Sequence, residues 1–273
     1  MLKRIITSLV ALCILIPVLI FADTPALTVG LAIVACLAVW EVFHCVGLHK
    51  NIAISLPFYL CAAAATFATR HLDKVLFFKL AVGAFLGLLL YIFAAMVLGH
   101  KKAKMTEMFT AYLMCIYAIA GCCSIVYLHD VQEGGEYVFL LIFLGAWVTD
   151  IFAYFTGFFL GKHKLIPEVS PKKTVEGSIG GIFFCSVSFV VFALIYNHWF
   201  APEGAYVSLV ALAIIGVVTS VVAQIGDLAL SVVKRYYGIK DYGWIFPGHG
   251  GMLDRFDSIF AVSICLAMAF AFV

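Results

Sequence analysis

The sequence predicts an all-α integral membrane protein, a polytopic bundle of about nine transmembrane helices with its N-terminus in the cytoplasm. Hydrophobic residues make up 65% of the 273 positions, whereas a typical soluble domain has about 45–50%. Charged residues make up only 12%, which is too few to cover a soluble surface of this size. Long apolar runs recur along the whole chain, and about 20 such residues are enough to cross a bilayer.

Nine apolar runs are long enough to be spanning helices. They cover residues 5–22, 26–46, 52–70, 75–98, 107–128, 136–161, 178–199, 205–233 and 256–273. Helices are expected because backbone groups cannot be left unpaired in lipid, and the ten-residue alternation of a β-barrel is absent. The first run follows Lys3 and Arg4 as in a signal peptide. No small-x-small cleavage site follows it, so we interpret it as the first span.

The basic residues predict the orientation of these spans. With the N-terminus inside, the inside loops hold fourteen of the seventeen Lys and Arg residues, and the outside loops hold only Arg70 and Lys74. Cytoplasmic loops characteristically carry such an excess of basic residues. We therefore expect the N-terminus inside and the C-terminus outside. The chain is expected to be one polytopic domain, 1–273, with N-terminal helices in 1–130 and the candidate catalytic half in 136–273.

Composition also excludes several other kinds of site. The nine cysteines are scattered through apolar runs without a CxxC pair, so neither a disulfide framework nor a zinc site is supported. The formal net charge of +2 gives no indication of a nucleic-acid partner, and we expect none.

Three carboxylates lie inside predicted spans: Glu41, Asp150 and Asp227. A charge at the centre of a membrane helix costs about 2.5–3.5 kcal/mol on insertion scales, so such residues are functional candidates by default. For Glu41, a trapped polar contact is an equally good interpretation, and its role stays open at this point.

The last inside segment concentrates polar chemistry. Gln224, Asp227, Ser231 and Lys234 recur at three- and four-residue steps, so they share one face of a helix. Asp254 and Asp257 form a second carboxylate pair at the start of the ninth span. Oxygen ligands of this kind suit Mg²⁺, which is usually shared between one or two carboxylates and substrate phosphates.

Two neighbouring segments add candidate anion sites. The turn Pro247–Gly251 is rich in glycine, so its backbone can approach an anion closely and offer N–H groups. The loop before the seventh span carries Lys172 and Lys173. There, Ser170 and Pro171 are expected to be the N-cap and first position of a helix, whose N-terminus would attract an anion. A loop that merely orients the protein is the alternative interpretation.

These residues resemble the signature of the phosphatidate cytidylyltransferases, also called CDP-diacylglycerol synthases. The matching pattern is Ser231-x-x-Lys234-Arg235-x4-Lys240-Asp241-x-Gly243-x2-Phe246-Pro247-x-His249-Gly250-Gly251-Met252-x-Asp254-Arg255-Phe256-Asp257. The run Asp150-x-x-Ala153-Tyr154-x-x-Gly157 and residues 170–177 are also similar to the family. The resemblance covers the C-terminal half; residues 1–130 resemble the family only in being apolar helices.

The resemblance implies that CTP and phosphatidic acid react to give CDP-diacylglycerol and pyrophosphate, with Mg²⁺ required and room for a second cation. The implied metal ligands are Asp227, Asp254, Asp150 and Asp257. The implied catalytic residues are Asp227, Asp254, Lys234, Arg235, Asp150, Ser231 and His249. The implied substrate-binding residues are Lys172, Lys173, Thr174, Glu176, Lys240, Asp241, Gly250, Gly251 and Arg255.

Two other function classes stay open from the residues. A CTP-dependent polyprenol kinase would transfer the γ-phosphoryl group instead, and an ion-coupled transporter would use the membrane aspartates as ion sites. Transporters usually have repeats with interrupted helices, and neither feature occurs in the sequence. The expected location is a bacterial inner membrane, and the family resemblance implies a homodimer. Acyl-chain preference, selectivity between CTP and dCTP and the role of His249 are not predicted.

Overall fold

The computed structural model describes residues 10, 13, 15–99, 104–130, 134–201 and 206–271. Residues 5–9, 11, 12 and 14 of the predicted first span lie outside these residues, and residues 15–20 are helical. The basic residues Lys3, Arg4, Lys101 and Lys102, which contribute to the predicted orientation, also lie outside them.

Helices dominate the described part of the chain. They are α1 (Pro25–Cys45), α2 (Ile52–His71), α3 (Lys74–Gly99), α4 (Met105–Asp130), α5 (Gly135–Val138), α6 (Leu140–Leu160), α7 (Val175–Trp199), α8 (Leu209–Tyr236) and α9 (Leu253–Ala271). Two short antiparallel strands, β1 (Lys164–Ile166) and β2 (Ser170–Thr174), precede α7.

Seven helical spans of the described residues are long and apolar enough to cross a membrane: α1 to α4, α5 together with α6, α7, and α8. They correspond to the predicted second to eighth spans, so the predicted all-α polytopic membrane fold is confirmed. Helix α9 matches the predicted ninth span but is not among the seven. Its first five residues include Asp254, Arg255 and Asp257. The cytoplasmic N-terminus stays a prediction.

The chain folds as two compact units. The first comprises the chain up to Glu133 together with the segment Tyr236–Phe256, and the second comprises Gly134–Arg235 and the chain from Asp257 onwards. The N-terminal unit therefore includes a segment from late in the sequence. The description of 1–273 as one domain stays a prediction.

The first unit is built around α1, which packs against α2 and α4. The α1 helix begins after Thr24, whose hydroxyl accepts the N–H of Ala26 at 3.2 Å, with Pro25 at its first position. Phe43 of α1 is fully buried and meets Phe58 of α2 edge to face, with ring centroids 5.5 Å apart. Large apolar side chains thus fill the space between helices and fix the direction of α1.

Arg70, at the end of α2, connects α2 to the residues before α1 and to the end of α4. Its guanidinium donates to the carbonyls of Asp23 at 2.6 Å and Thr24 at 2.5 Å. Its Nε forms an ion pair with Asp130 Oδ2 at the end of α4, at 3.2 Å. One side chain therefore satisfies carbonyl groups that precede α1 and holds the ends of α2 and α4.

In the second unit, α6 and α7 cross closely because small residues line the contact. A Cβ atom at Gly177 would lie 2.5 Å from the carbonyl oxygen of Ala153, and one at Gly157 would lie 2.7 Å from Thr174 Oγ1. Such close approach between membrane helices is typical of small-residue interfaces.

The structure corrects the predicted start of the seventh span. Residues Ser170–Thr174 form β2 rather than the first turn of a helix, and α7 begins at Val175. Thr174 is the N-cap, and its hydroxyl accepts the N–H of Gly177 at 3.1 Å. The prediction that Ser170 and Pro171 begin the helix is therefore wrong, because this segment pairs with β1.

Candidate active site

The second unit brings together three of the four predicted metal ligands, each from a different helix. They are Asp150 of α6, Asp227 of α8 and Asp257 of α9. The carboxyl groups of Asp227 and Asp257 are close enough to hydrogen-bond, and Asp150 acts electrostatically on Asp257. Ser258, which the sequence did not indicate, donates its hydroxyl to Asp150 Oδ2 at 3.3 Å, and its N–H donates to Asp257 Oδ1 at 2.8 Å. Ser258 therefore connects two of the carboxylates.

Two predicted phosphate-binding lysines face this carboxylate cluster, which we define as Asp150, Asp227 and Asp257. The ammonium group of Lys173 forms an ion pair with Asp227 Oδ2. Lys234 is 8% exposed, and its positive charge also acts on Asp227. Because Asp227 and Lys234 belong to one helix, this interaction agrees with the polar face predicted for α8.

The β-hairpin that carries Lys172 and Lys173 is held in place from two directions. Arg235, at the end of α8, donates its Nε–H to the carbonyl of Val169 at 3.3 Å, between the two strands. The Glu176 carboxylate accepts the N–H groups of Lys162 and His163 at 3.1 and 3.2 Å, before β1 begins. These contacts orient the strand that presents the lysines.

The predicted substrate-binding residues Thr174 and Glu176 thus have structural contacts in this unit. Thr174 is buried and caps α7, and Glu176 also binds His163 Nδ1 at 2.6 Å. Ser231 is half-buried on α8, and Lys172 is exposed on β2. Direct contact of these four residues with a substrate stays a prediction.

The remaining site candidates belong to the first unit, where the segment Pro247–Gly251 forms a tight turn. Gly248 and Gly250 have φ values of 83° and 89°, a left-handed region that only glycine enters readily. The N–H of Phe246 donates to the carbonyl of Gly250 at 2.9 Å, and the N–H of His249 donates to the carbonyl of Phe246 at 2.8 Å. The glycines therefore allow the chain to reverse direction just before α9.

Two buried carboxylates stabilise this turn and the start of α9. Asp254 Oδ2 accepts the N–H groups of Tyr242 at 2.7 Å and Gly251 at 2.9 Å. The Glu41 carboxylate accepts the N–H of Met252 through Oε1 and that of Leu253 through Oε2, both at 2.7 Å. Hydrogen bonds to charged groups contribute about 1.5–3 kcal/mol each. Both acids therefore anchor backbone, and metal binding by Asp254 stays a prediction.

The glycine turn was predicted to offer N–H groups to an anion, but N–H groups at its end already have partners within the chain. The N–H groups of Gly251, Met252 and Leu253 all donate to carboxylates of the chain itself. The side chains of Lys240, Asp241 and Arg255 are exposed, and His249 is half-buried.

Glu41 is a buried residue whose role sequence reasoning left open. Its presence inside an apolar span was the available signal, because an acid in such a place needs a partner. The partners are backbone N–H groups more than 200 positions later in the chain. One sequence does not identify partners at that distance.

The second unit's donor set fits a hard divalent cation. Two carboxylates in direct contact repel each other unless a cation or a proton lies between them, and oxygen ligands suit Mg²⁺. Among the described residues, no group of three or more His, Cys, Asp or Glu side chains is arranged to hold a metal ion by itself. Mg²⁺ does not require such a group, because substrate phosphates and water usually complete its shell.

Comparison with known proteins agrees with the motifs. The chain is 40% identical to a phosphatidate cytidylyltransferase of Staphylococcus saprophyticus over 162 residues, which is 59% of each protein. It is 37% identical to the phosphatidate cytidylyltransferase of Staphylococcus haemolyticus over 167 residues and 38% identical to that of Staphylococcus aureus over 170 residues, again covering 59% of each. The match thus spans about three fifths of the length of these relatives. The model of the Cytidylyltransferase family matches residues 2–273, and the chain therefore belongs to this family.

Proposed function

We propose that the protein is a phosphatidate cytidylyltransferase, a membrane nucleotidyltransferase of phospholipid biosynthesis. It would convert CTP and phosphatidic acid into CDP-diacylglycerol and pyrophosphate with Mg²⁺. The relatives bear this name, and the signature from Ser231 to Asp257 matches the family pattern without a departure.

The observation that carries the proposal is the meeting of carboxylates and lysines in the second unit. Lys173 and Lys234 both act on Asp227, which contacts Asp257. Acids that can hold a cation, beside bases that can hold phosphates, are what phosphoryl-type chemistry requires of a protein. An activated serine or cysteine is not needed, because the lipid phosphate itself is the nucleophile.

In the proposed reaction, an oxygen of the phosphatidic acid phosphate attacks the α-phosphorus of CTP. A new P–O bond forms, the bond between the α-phosphorus and its bridging oxygen to the β-phosphate breaks, and pyrophosphate leaves. The protein contributes positioning and charge neutralisation. Lys172, Lys173 and Lys234 would hold phosphate oxygens, and Arg235 would keep the hairpin oriented through its bond to Val169.

Asp227 and Asp257 would hold Mg²⁺, with Asp150 as a partner and a second cation as an option. When bound, this ion neutralises phosphate charge and orients the leaving group. Lys173, which forms an ion pair with Asp227 in this structure, would bind a phosphate oxygen. Metal binding by Asp254, whose Oδ2 accepts two backbone N–H groups, is also part of the proposal.

The proposal includes the location of the reaction. The excess of basic residues in the predicted inside loops supports a site at the cytoplasmic face, and bacterial relatives support the inner membrane. A homodimer, implied by the family resemblance, is part of the same proposal.

The deciding experiment supplies CTP labelled separately at the α- and γ-phosphates to purified protein with Mg²⁺ and phosphatidic acid. The proposal predicts α-label in the chloroform-soluble lipid and γ-label in water-soluble pyrophosphate. Diacylglycerol, which lacks the attacking phosphate, should not replace phosphatidic acid.

The other function classes predict different outcomes. A polyprenol kinase would put γ-label into lipid and leave α-label in soluble CDP. A transporter would label no lipid at all. Either result would refute the assignment.

A further inference from the structure

Glu41 is a fully buried carboxylate that the proposed reaction does not use. It is 0% exposed and lies near the end of α1, one helical turn before Cys45. Its two oxygens accept the N–H groups of Met252 and Leu253, both at 2.7 Å. Burying a carboxyl group is expensive unless hydrogen bonds compensate it, and these two bonds satisfy both of its oxygens.

The surroundings of Glu41 are shaped to fit its carboxylate. A Cβ atom at Gly243 or at Gly251 would overlap Glu41 Oε1. Both glycines belong to the segment 242–253, which Asp254 also holds through the N–H groups of Tyr242 and Gly251. A side chain of α1 and a side chain of α9 therefore accept four N–H groups of this segment, those of Tyr242, Gly251, Met252 and Leu253.

Glu41 occupies the place at the start of α9 where an external anion could otherwise bind. The first N–H groups of a helix have no partner within the helix and attract anions. At the start of α9 that place is taken by an anion of the chain itself. The loop is thus held in one shape by internal bonds, without a substrate phosphate.

We propose that Glu41 is a positioning residue of the enzyme. It fixes the backbone of segment 242–253, and through it the orientation of His249, Asp254 and the glycine turn. This inference rests on the proposed function, because these residues belong to the family signature. Glu41 itself contacts no substrate in this proposal.

The test compares Glu41→Gln with the parent protein in detergent. Glutamine keeps the shape but places an NH₂ group against one of two N–H donors, so one bond is lost and the other weakened. We expect hydrogen exchange of the Met252 and Leu253 amides to accelerate about tenfold or more. We expect kcat to fall about 10- to 100-fold, with the KM for CTP changed less than about threefold, because misplacement impairs the reacting geometry. Glu41→Asp keeps the charge but is shorter, and should give intermediate values.

The matched control is Asp73→Asn. Asp73 also accepts two N–H groups at the start of a helix, those of Val75 at 3.1 Å and Leu76 at 3.0 Å. This variant should leave kcat and exchange in segment 242–253 unchanged. If the loss of activity in Glu41→Gln merely follows the loss of folded protein, as judged by the melting temperature, the positioning role is refuted.

Gly243→Ala supplies a second route that retains the charge. Its methyl group would displace the Glu41 carboxylate, and it should reproduce both the faster exchange and the lower kcat if Glu41→Gln does not yield folded protein. Unchanged exchange at Met252 and Leu253 in both variants would overturn the inference. If the parent protein makes no CDP-diacylglycerol, the proposed function fails, whereas the exchange measurement still shows whether Glu41 holds the loop.

Discussion

Replacing Asp227 by asparagine should separate catalysis from stability. Lys173 and Asp227 form an ion pair whose side chains are 26% and 24% exposed. Loss of one partner costs about 3–5 kcal/mol in a fully buried pair, whereas an exposed pair is worth about 0–1 kcal/mol. We therefore expect a cost of about 1–3 kcal/mol from this pair. Removal of the repulsion between Asp227 and Asp257 offsets part of it, so the net destabilisation should be below about 2 kcal/mol.

The effect on catalysis should be larger, because the same oxygen would be a metal ligand. We expect Asp227→Asn to lower kcat at least about 10²-fold, which corresponds to about 2.7 kcal/mol or more of lost transition-state stabilisation. The assay is formation of labelled CDP-diacylglycerol at Mg²⁺ concentrations below saturation. The melting temperature, measured with and without Mg²⁺, gives a second readout, since a ligand that binds only the folded state stabilises it.

Glu136→Gln is the control for this substitution, because Glu136 is an exposed carboxylate on α5 of the same unit. It should leave kcat, the melting temperature and the Mg²⁺ effect unchanged. Near-normal activity of Asp227→Asn at low Mg²⁺ would remove Asp227 from the metal shell. A Mg²⁺-dependent rise in melting temperature equal to that of the parent protein would also show that Asp227 is not a metal ligand.

Two further predictions concern topology and packing. A reporter fused after Val273 should be extracytoplasmic and one inserted in the loop 162–177 cytoplasmic, and detection of both on one side would contradict the nine-span prediction. Gly177→Ala should lower stability by about 1–3 kcal/mol, since the added methyl carbon would lie 2.5 Å from the Ala153 carbonyl oxygen. The same change at Gly83, where no atom lies within 4 Å, should alter the melting temperature little, and equal effects at both positions would refute this packing argument.

The membrane helices were predictable because the signal for a spanning helix, an apolar run of sufficient length, lies within its own segment of the sequence. The predicted span 26–46 corresponds to α1, and the predicted span 107–128 lies within α4. The polar face of α8 was likewise predictable, since helical periodicity brings Asp227 and Lys234 together without knowledge of any other element.

What sequence reasoning missed depends on partners distant in the chain. Ser170 and Pro171 have local features of a helix start, but pairing with β1 makes them part of a strand. Ser258 follows the recognised motif and was not singled out, although it connects Asp150 to Asp257. In each case the decisive contact comes from another element, and no local pattern identifies it.

The separation between Glu41 and its partners has a consequence for biosynthesis. The N–H of Met252 is 211 residues from the acid that accepts it. At roughly 5–20 residues per second of synthesis, about 10–40 s pass between translation of the acid and translation of its partner. During that interval the nascent chain has an acid in an apolar segment without its native hydrogen bonds. Insertion of α1 is therefore expected to depend on the insertion machinery, and a ribosome-stalled chain ending before residue 252 should be more readily degraded than the same stalled chain with Glu41 replaced by leucine.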